Sequence, residues 1–206
     1  MSIATSTAVT LPLVIPYQPM RMSVADYHRM IAIGELTKNR RIELLKGVMV
    51  EKMPQNPLHT LLVQLVQKLL DALLPASFHA RNQAPVTLAD SEPEPDVSVA
   101  RGTLMDYATR HPSPTEVPLV VEIAYSSLVT DRFKGEIYAE ARVPLYWIVN
   151  LRERRVEVYS QPAPSPTGSR YASYQEYRAG DIVPVELDGQ VIGQIPASEL
   201  LPIVEE

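Results

Sequence analysis

Four charged residues in this chain stand where their types and spacing could build a hydrolytic centre. Glu122 interrupts Leu119-Val-Val-Glu-Ile-Ala, a run whose other members read as core. Desolvating a carboxylate in a buried strand costs several kcal/mol unless a charged partner or a metal compensates. On this segment alone, an edge strand with Glu122 facing water is an equal alternative. Asp96 follows Pro93-Glu-Pro and leads into Val-Ser-Val, so a proline fixes the chain and sets the aspartate at a strand's start. By itself it reads more simply as a turn aspartate. Lys134 lies twelve residues after Glu122, at the start of the next helix. A strand ending at Ala124 and a turn from Tyr125 to Thr130 could return its ammonium to the strand end, though a lone helical lysine is usually just solvated.

The combination carries more than its parts. Two strand carboxylates can hold a hard divalent cation that keeps waters for a phosphate to displace. Such a cation polarises the phosphate and acidifies a bound water, and a neighbouring lysine stabilises the developing negative charge. Glu43 is a candidate fourth member, between Ile42 and Leu44 and just after two arginines. From the first helical region it could ligate a second metal or position water; a surface salt bridge is an equal alternative.

Composition narrows the choice of metal. The 206 residues include no cysteine, which removes disulfides and thiolate sites; any metal must sit on oxygen or imidazole ligands, which points towards Mg²⁺ or Mn²⁺ rather than structural zinc. A chain of this length buries a core without such staples. The net charge of -5 weighs mildly against a protein that grips long duplex DNA without specificity. No basic segment followed by an apolar stretch opens the chain, and no apolar run is long enough to span a bilayer. A cytoplasmic protein without a membrane partner is expected.

The elements that must position these residues follow from periodicity. Residues 1–20 read as an N-terminal extension and 21–206 as one domain. Ser23 caps a first helix, with Asp26 in the capping-box position and Val24, Tyr27, Met30 and Ile31 at helical spacing. Two short strands, Arg41 to Gly47 and Val48 to Met53, turn at Gly47, and Pro54 and Pro57 end that pattern. From Leu58 to Leu74 the leucines and Val66 give the strongest helical period in the chain, stopped by Pro75. Strands are expected over 84–88, 96–100, 118–124, 145–150, 155–159, 182–187 and 191–195. A helix is expected over 131–141, capped by Asp131. Residues 161–169 are rich in Pro, Ser and Gly and read as a flexible hairpin tip. The irregular alternation implies an α/β fold with a mixed sheet and helices packed on it.

The order of these segments resembles the Uma-two family, within the PD-(D/E)XK superfamily of restriction-endonuclease-like proteins. The resemblance covers Met22 to Tyr159. It rests on Arg41-Ile-Glu-Leu-Leu-Lys-Gly, His59 opening the long helix, Glu92-Pro-Glu-Pro-Asp-Val, and Leu119-Val-Val-Glu-Ile-Ala-Tyr-Ser-Ser. Asp131-Arg-Phe-Lys, Tyr138-Ala and Val143-Pro-Leu-Tyr-Trp-Ile-Val complete it. It implies a central mixed β-sheet flanked by helices, with additional hairpins. It also implies that Asp96 and Glu122 ligate the metal and that Lys134 is the catalytic lysine. The superfamily's commoner lysine position, two residues after the acid, is Ala124 here, so the lysine has moved to Lys134. Arg142 stands where the family usually has glycine.

Other residues rank lower. His59 could touch phosphate or a metal-bound water, although capping or surface structure is the plainer role. Tyr138 shares the face of Lys134 and reads as packing; Tyr146 and Trp147 read as core or interface. Ser126-Ser127 lacks a nucleophile elbow. The expected activity is a metal-dependent DNA endonuclease, possible as a homodimer by analogy alone. The alternatives are a catalytically silent binding or assembly module on the same scaffold and a metal-dependent hydrolase of small phosphoesters.

Overall fold

The computed structural model describes residues 20–36, 41–52, 55–166 and 168–203. Ten strands, β1 (Ile42–Leu45), β2 (Val48–Glu51), β3 (Phe78–Asn82), β4 (Val97–Arg101), β5 (Leu119–Ala124), β6 (Leu145–Asn150), β7 (Arg155–Ser165), β8 (Gly168–Tyr177), β9 (Ile182–Leu187) and β10 (Gln190–Pro196), accompany four α-helices and two short 3-10 turns among the described residues. The helices are α1 (Val24–Ala32), α2 (Pro57–Asp71), α3 (Leu128–Glu140) and the single turn α4 (Ala197–Leu200). Strands β3 to β8 form one six-stranded sheet in chain order, while β1–β2 and β9–β10 are separate hairpins. Every neighbouring pair in the sheet is antiparallel except β5 and β6. A parallel pair needs a crossover, and α3 supplies it.

Both faces of the sheet are covered, so its central strands are apolar throughout. Leu119, Val121 and Ile123 of β5 and Leu145, Trp147 and Val149 of β6 face α2, packing with Leu62, Val66 and Leu70 and with the β9–β10 hairpin. The alternate residues Val120, Ala124, Tyr146 and Ile148 pack with Ile137 and Tyr138 of α3. Glu122 has the parity of Val120 and Ala124 and therefore points to the α3 side.

Several expectations hold. Ser23 caps α1 by accepting from the Asp26 amide at 3.1 Å. The long helix ends at Asp71, three residues before the leucine periodicity does, and its cap is Asn56, whose Oδ1 accepts from the His59 amide at 2.8 Å. Glu43 lies on β1 and not in a helical region.

Other segments differ from their sequence pattern. Residues 84–88 form no strand. Val86 and Leu88 are buried, but their amides bond to the loop carbonyls of Pro93 and Ser91, and Pro85 has no amide to give. The edge strand is instead β3, whose polar Phe-His-Ala-Arg-Asn sequence carries no alternation. The 161–165 stretch belongs to β7 and pairs with β8; the partner strand β6 stops opposite Ser160, so Pro162 and Pro164 sit where one edge is free. Helix α3 begins at Leu128 with Ser127 in the cap position, which leaves Asp131 inside its first turn. Residues 1–19, Met53 and Pro54 lie outside the described residues. Among the described residues no helix is long and apolar enough to cross a membrane.

Candidate functional site

The row of hydrogen bonds between β4 and β5 brings the first two candidate residues together. Asp96 stands just before β4, beside the end of β5. Its amide donates to Glu122 Oε2 at 3.2 Å, and its own Oδ2 accepts from the Ile123 amide at 2.8 Å. Side chain and backbone thus exchange bonds across the two strands, fixing both carboxylates. His59, at the start of α2, contributes Nε2 at 3.0 Å from Asp96 Oδ2. The imidazole's Nδ1 is buried without a partner among the described residues.

From the other side, α3 lowers Lys134 onto the sheet. Its Nζ lies 3.2 Å from Glu122 Oε1 and 3.0 Å from Glu43 Oε2. Glu43, Glu122 and Lys134 are each at most 4% exposed, so Glu43 makes a buried ion pair and not a surface one. Tyr138, one turn after Lys134, is buried with its hydroxyl 3.5 Å from Glu122 Oε1. Asp131 accepts from Ser127 Oγ at 2.6 Å within the helix's first turn, the reverse of the capping role its position suggested.

The charges in this pocket are strongly perturbed. Burial, opposed by Lys134 and reinforced by the negative charge of Asp96, pushes Glu122 up to about 8. Burial likewise pushes Asp131 up to about 6, against its bond from Ser127. Burial would raise Asp96 too, but the His59 bond and the Ile123 amide hold it below the usual carboxylate range. For Lys134 burial favours loss of the proton; the attraction of Glu122 and Glu43 outweighs it and holds the ammonium above its ordinary range.

Sequence reasoning missed two contributors. Lys52, just past β2, donates to the Glu94 carbonyl at 2.7 Å and lies 3.3 Å from Glu94 Oε2. It also draws down the pKa of both Asp96 and Glu122. Glu94 in turn gives its amide to Glu43 Oε2 at 3.1 Å. The available signal was Glu94's place between two prolines, two residues before Asp96; nothing in the sequence tied Lys52 to it. Ser126, Ser127, Tyr146 and Trp147 assemble no nucleophile here. Tyr146 donates to the Asp131 carbonyl at 2.7 Å, and Trp147 is buried on the opposite, α2 side.

A model of the family described as "Putative restriction endonuclease", Uma2, matches residues 24–191. The chain belongs to the Uma2 family. The match runs beyond Tyr159 through β8 and β9 into β10. A solved structure from Anabaena variabilis ATCC 29413, titled a "putative nuclease belonging to DUF820", is similar at a TM-score of 0.61 and 14% identity. That alignment covers 79% of this chain and 90% of the other, and it supports the shared nuclease fold. The apo form of NucC from E. coli MS115-1 aligns at 17% identity over 56% of this chain and 53% of that one, with a TM-score of 0.27. A search of curated proteins gives no match.

Among the described residues no three His, Asp or Glu side chains stand together as a ready metal cage. The physical reason is Lys134, which separates Glu43 from Glu122. Mg²⁺, however, is commonly held by one or two carboxylates with water and substrate oxygens completing its shell. Asp96 and Glu122 are joined through one bond, and Asp96 Oδ1 and Glu43 Oε1 have no hydrogen-bond partner among the described residues. Glu43 and Glu122 on Lys134, with Asp96 bonded to Glu122, form an oxygen-rich pocket whose free carboxylate oxygens fit a small hard cation.

Proposed function

We propose that this Uma2 chain is a Mg²⁺- or Mn²⁺-dependent DNA endonuclease in which Asp96 and Glu122 hold the metal and Lys134 is the catalytic lysine. The observation that carries the reading is the buried ammonium of Lys134 between Glu122 and Glu43, beside Asp96. When bound, the divalent ion supplies charge neutralisation and polarisation of the phosphodiester. In hydrolysis a water oxygen forms the new bond to phosphorus, the ester P–O bond breaks, and the departing oxygen gains a proton. Lys134 is held between Glu43 and Glu122, so it would act as a fixed cation against the developing phosphorane charge and not as a base. Glu43 anchors that ammonium and can position the attacking water through its free oxygen. His59 and the Ile123 amide together occupy Asp96 Oδ2, so Asp96 would hold a metal with its Oδ2 already oriented by the protein.

Titration calorimetry of Mn²⁺ into wild type and Asp96→Ala/Glu122→Ala, followed by plasmid nicking on the same samples, tests this. Binding and nicking by wild type, both lost in the double mutant, are expected. Absence of a specific wild-type site, or nicking that survives the mutations, would sink it. Turnover confined to small phosphodiesters would keep the metal chemistry and remove DNA as substrate.

One observation favours a second reading, a silent scaffold: Lys134 already pairs with both of the carboxylates it touches. A silent scaffold predicts that neither divalent metal nor Lys134→Met affects the biological activity.

A further inference from the structure

Beyond the carboxylate pocket, the segment Glu92-Pro-Glu-Pro-Asp96 leads into a second concavity. Asp96 and Glu94 stand at the candidate active site, whereas Glu92 lines a cavity of ≈ 710 Å³ between α1 and the 104–113 loop. Four residues of chain span no more than about 14 Å. Glu92 therefore lies within roughly four nucleotide steps of Asp96 along a strand that rises about 3.4 Å per step.

Glu92 is 2% exposed and has no lysine or arginine partner among the described residues. Both of its side-chain bonds fall on one oxygen: Oε2 lies 2.6 Å from His28 Nε2 and accepts from Thr87 Oγ1 at 2.8 Å. Oε1 has no partner among the described residues. Glu92 Oε1 is not among the fully buried unpartnered atoms of the described residues, so it is an acceptor that keeps access to the cavity it lines. The leucine-bridge backbone bond, Glu92 amide to Leu44 carbonyl at 2.7 Å, fixes where this side chain starts.

The wall beside it is flat and built. Arg110 is held by a two-pronged bond to Glu116, 2.7 Å on each prong, and its guanidinium lies 5.0 Å from the centre of the Tyr107 ring. Arg81 lies 5.4 Å from the same ring centre. A guanidinium fixed in this way presents a planar cation on which a base can stack. Ile31 and the imidazoles of His28 and His111 complete a pocket that is part apolar, part hydrogen-bonding. Its concavity suits a base turned out of its stack, not the edge of a paired duplex.

We propose that this cavity takes an unpaired nucleobase bearing an exocyclic amino group, whose N–H is accepted by Glu92 Oε1 while the ring lies against Arg110. A carboxylate accepts from such an amine and repels the keto oxygen that thymine offers at the same place. The proposal rests on the nucleic-acid reading of the neighbouring site, deepening it to a substrate feature.

Fluorescence anisotropy of the full chain with single-stranded dC10, dA10 and dT10 in EDTA tests it without any metal or cleavage. Wild type is expected to bind dC10 and dA10 roughly tenfold more tightly than dT10. Glu92→Gln, whose amide both donates and accepts, should bring the three to within about twofold. The His28 and His111 ring signals in NMR should shift on adding dC10 to wild type, a readout that needs no variant to fold. Equal wild-type binding of dC10 and dT10, no binding at all, or selectivity unchanged in Glu92→Gln would overturn the proposal. Nicking by a protein without this selectivity would remove the cavity and keep the nuclease; selectivity without nicking would do the reverse.

Discussion

Glu122 and Glu157 occupy one row of the central sheet, each paired with Ile148, and both are buried on the α3 side. Their surroundings are opposite. Glu157 is saturated: Arg132 Nη2 reaches Oε1 at 2.9 Å, Asn150 Nδ2 and Arg155 Nε at 3.1 Å each, and Tyr159 donates to Oε2 at 2.5 Å. Burial would raise its pKa, but these donors hold it below the usual range. Glu122 has one lysine, a distant phenol and the Asp96 amide, with other acids around it, and burial pushes it up to about 8. One helix serves both, through Arg132 and Lys134. A carboxylate that the fold equips fully is part of the architecture; one left short of positive charge is the one to which the proposed function assigns a cation.

The sharpest way to break this contrast is to remove the saturated acid. Glu157→Ala strands two guanidiniums and an amide that converge on nothing. Arg132 is nearly half exposed, so the loss belongs at the lower end of the range for broken buried pairs, about 3 kcal/mol. Thermal melts should show a fall on the order of 6–12 °C. A drop of under one degree would mean that Glu157 is not structural.

Neutralising Glu122 should have the other sign. Glu122→Gln keeps an acceptor for the Asp96 amide, Lys134 keeps Glu43, and a buried charge that desolvation disfavours disappears. In metal-free buffer at pH 8 the variant should be more stable than wild type by on the order of 1–2 kcal/mol, while nicking in Mg²⁺ is lost. If both glutamates lose stability on becoming glutamine, the contrast between them is wrong.

Acid sharpens the comparison further. The folded pKa of Glu157 is depressed, so its stabilisation is present above the unfolded value of about 4.3 and is lost as pH falls through the folded one. The stability gap between wild type and Glu157→Gln should therefore be constant near neutrality and narrow below about pH 4.3. Urea titrations at several pH values measure it, and a gap that widens on acidification would contradict the assignment.

Glu122 was legible because Leu-Val-Val and Ile-Ala leave no polar face for it, and Lys134 followed once family order tied it to that strand. Glu157 was not. Arg155-Val-Glu-Val-Tyr alternates like a strand with one wet face, and only the α3 crossover and the long β8 cover that face. Lys52 and Glu94 meet through a hairpin and a loop joined by tertiary contact, which local pattern does not encode. The same limit made 84–88 resemble a strand: Val86 and Leu88 alternate correctly, yet their amides are satisfied by loop carbonyls.

Arg142 tests the smallest term, the closure of the helix that reaches both glutamates. Its amide bonds to the Ala139 carbonyl at 3.1 Å and the Val143 amide to Tyr138 at 3.0 Å, the two bonds of a Schellman ending. Arg142 itself is left-handed, with φ of 61°, a conformation that favours glycine. Strain of about 1–2 kcal/mol at a non-glycine residue is partly offset by the extra freedom glycine gains in the unfolded chain. Arg142→Gly should therefore stabilise by about 0.5–1 kcal/mol, or on the order of 1–4 °C. The increment should be the same in wild type, Glu122→Gln and Glu157→Gln if α3 is otherwise fixed by its own turns. An increment that grows in Glu157→Gln alone would show that the Arg132 clamp, and not the helix ending, normally sets where α3 carries Lys134.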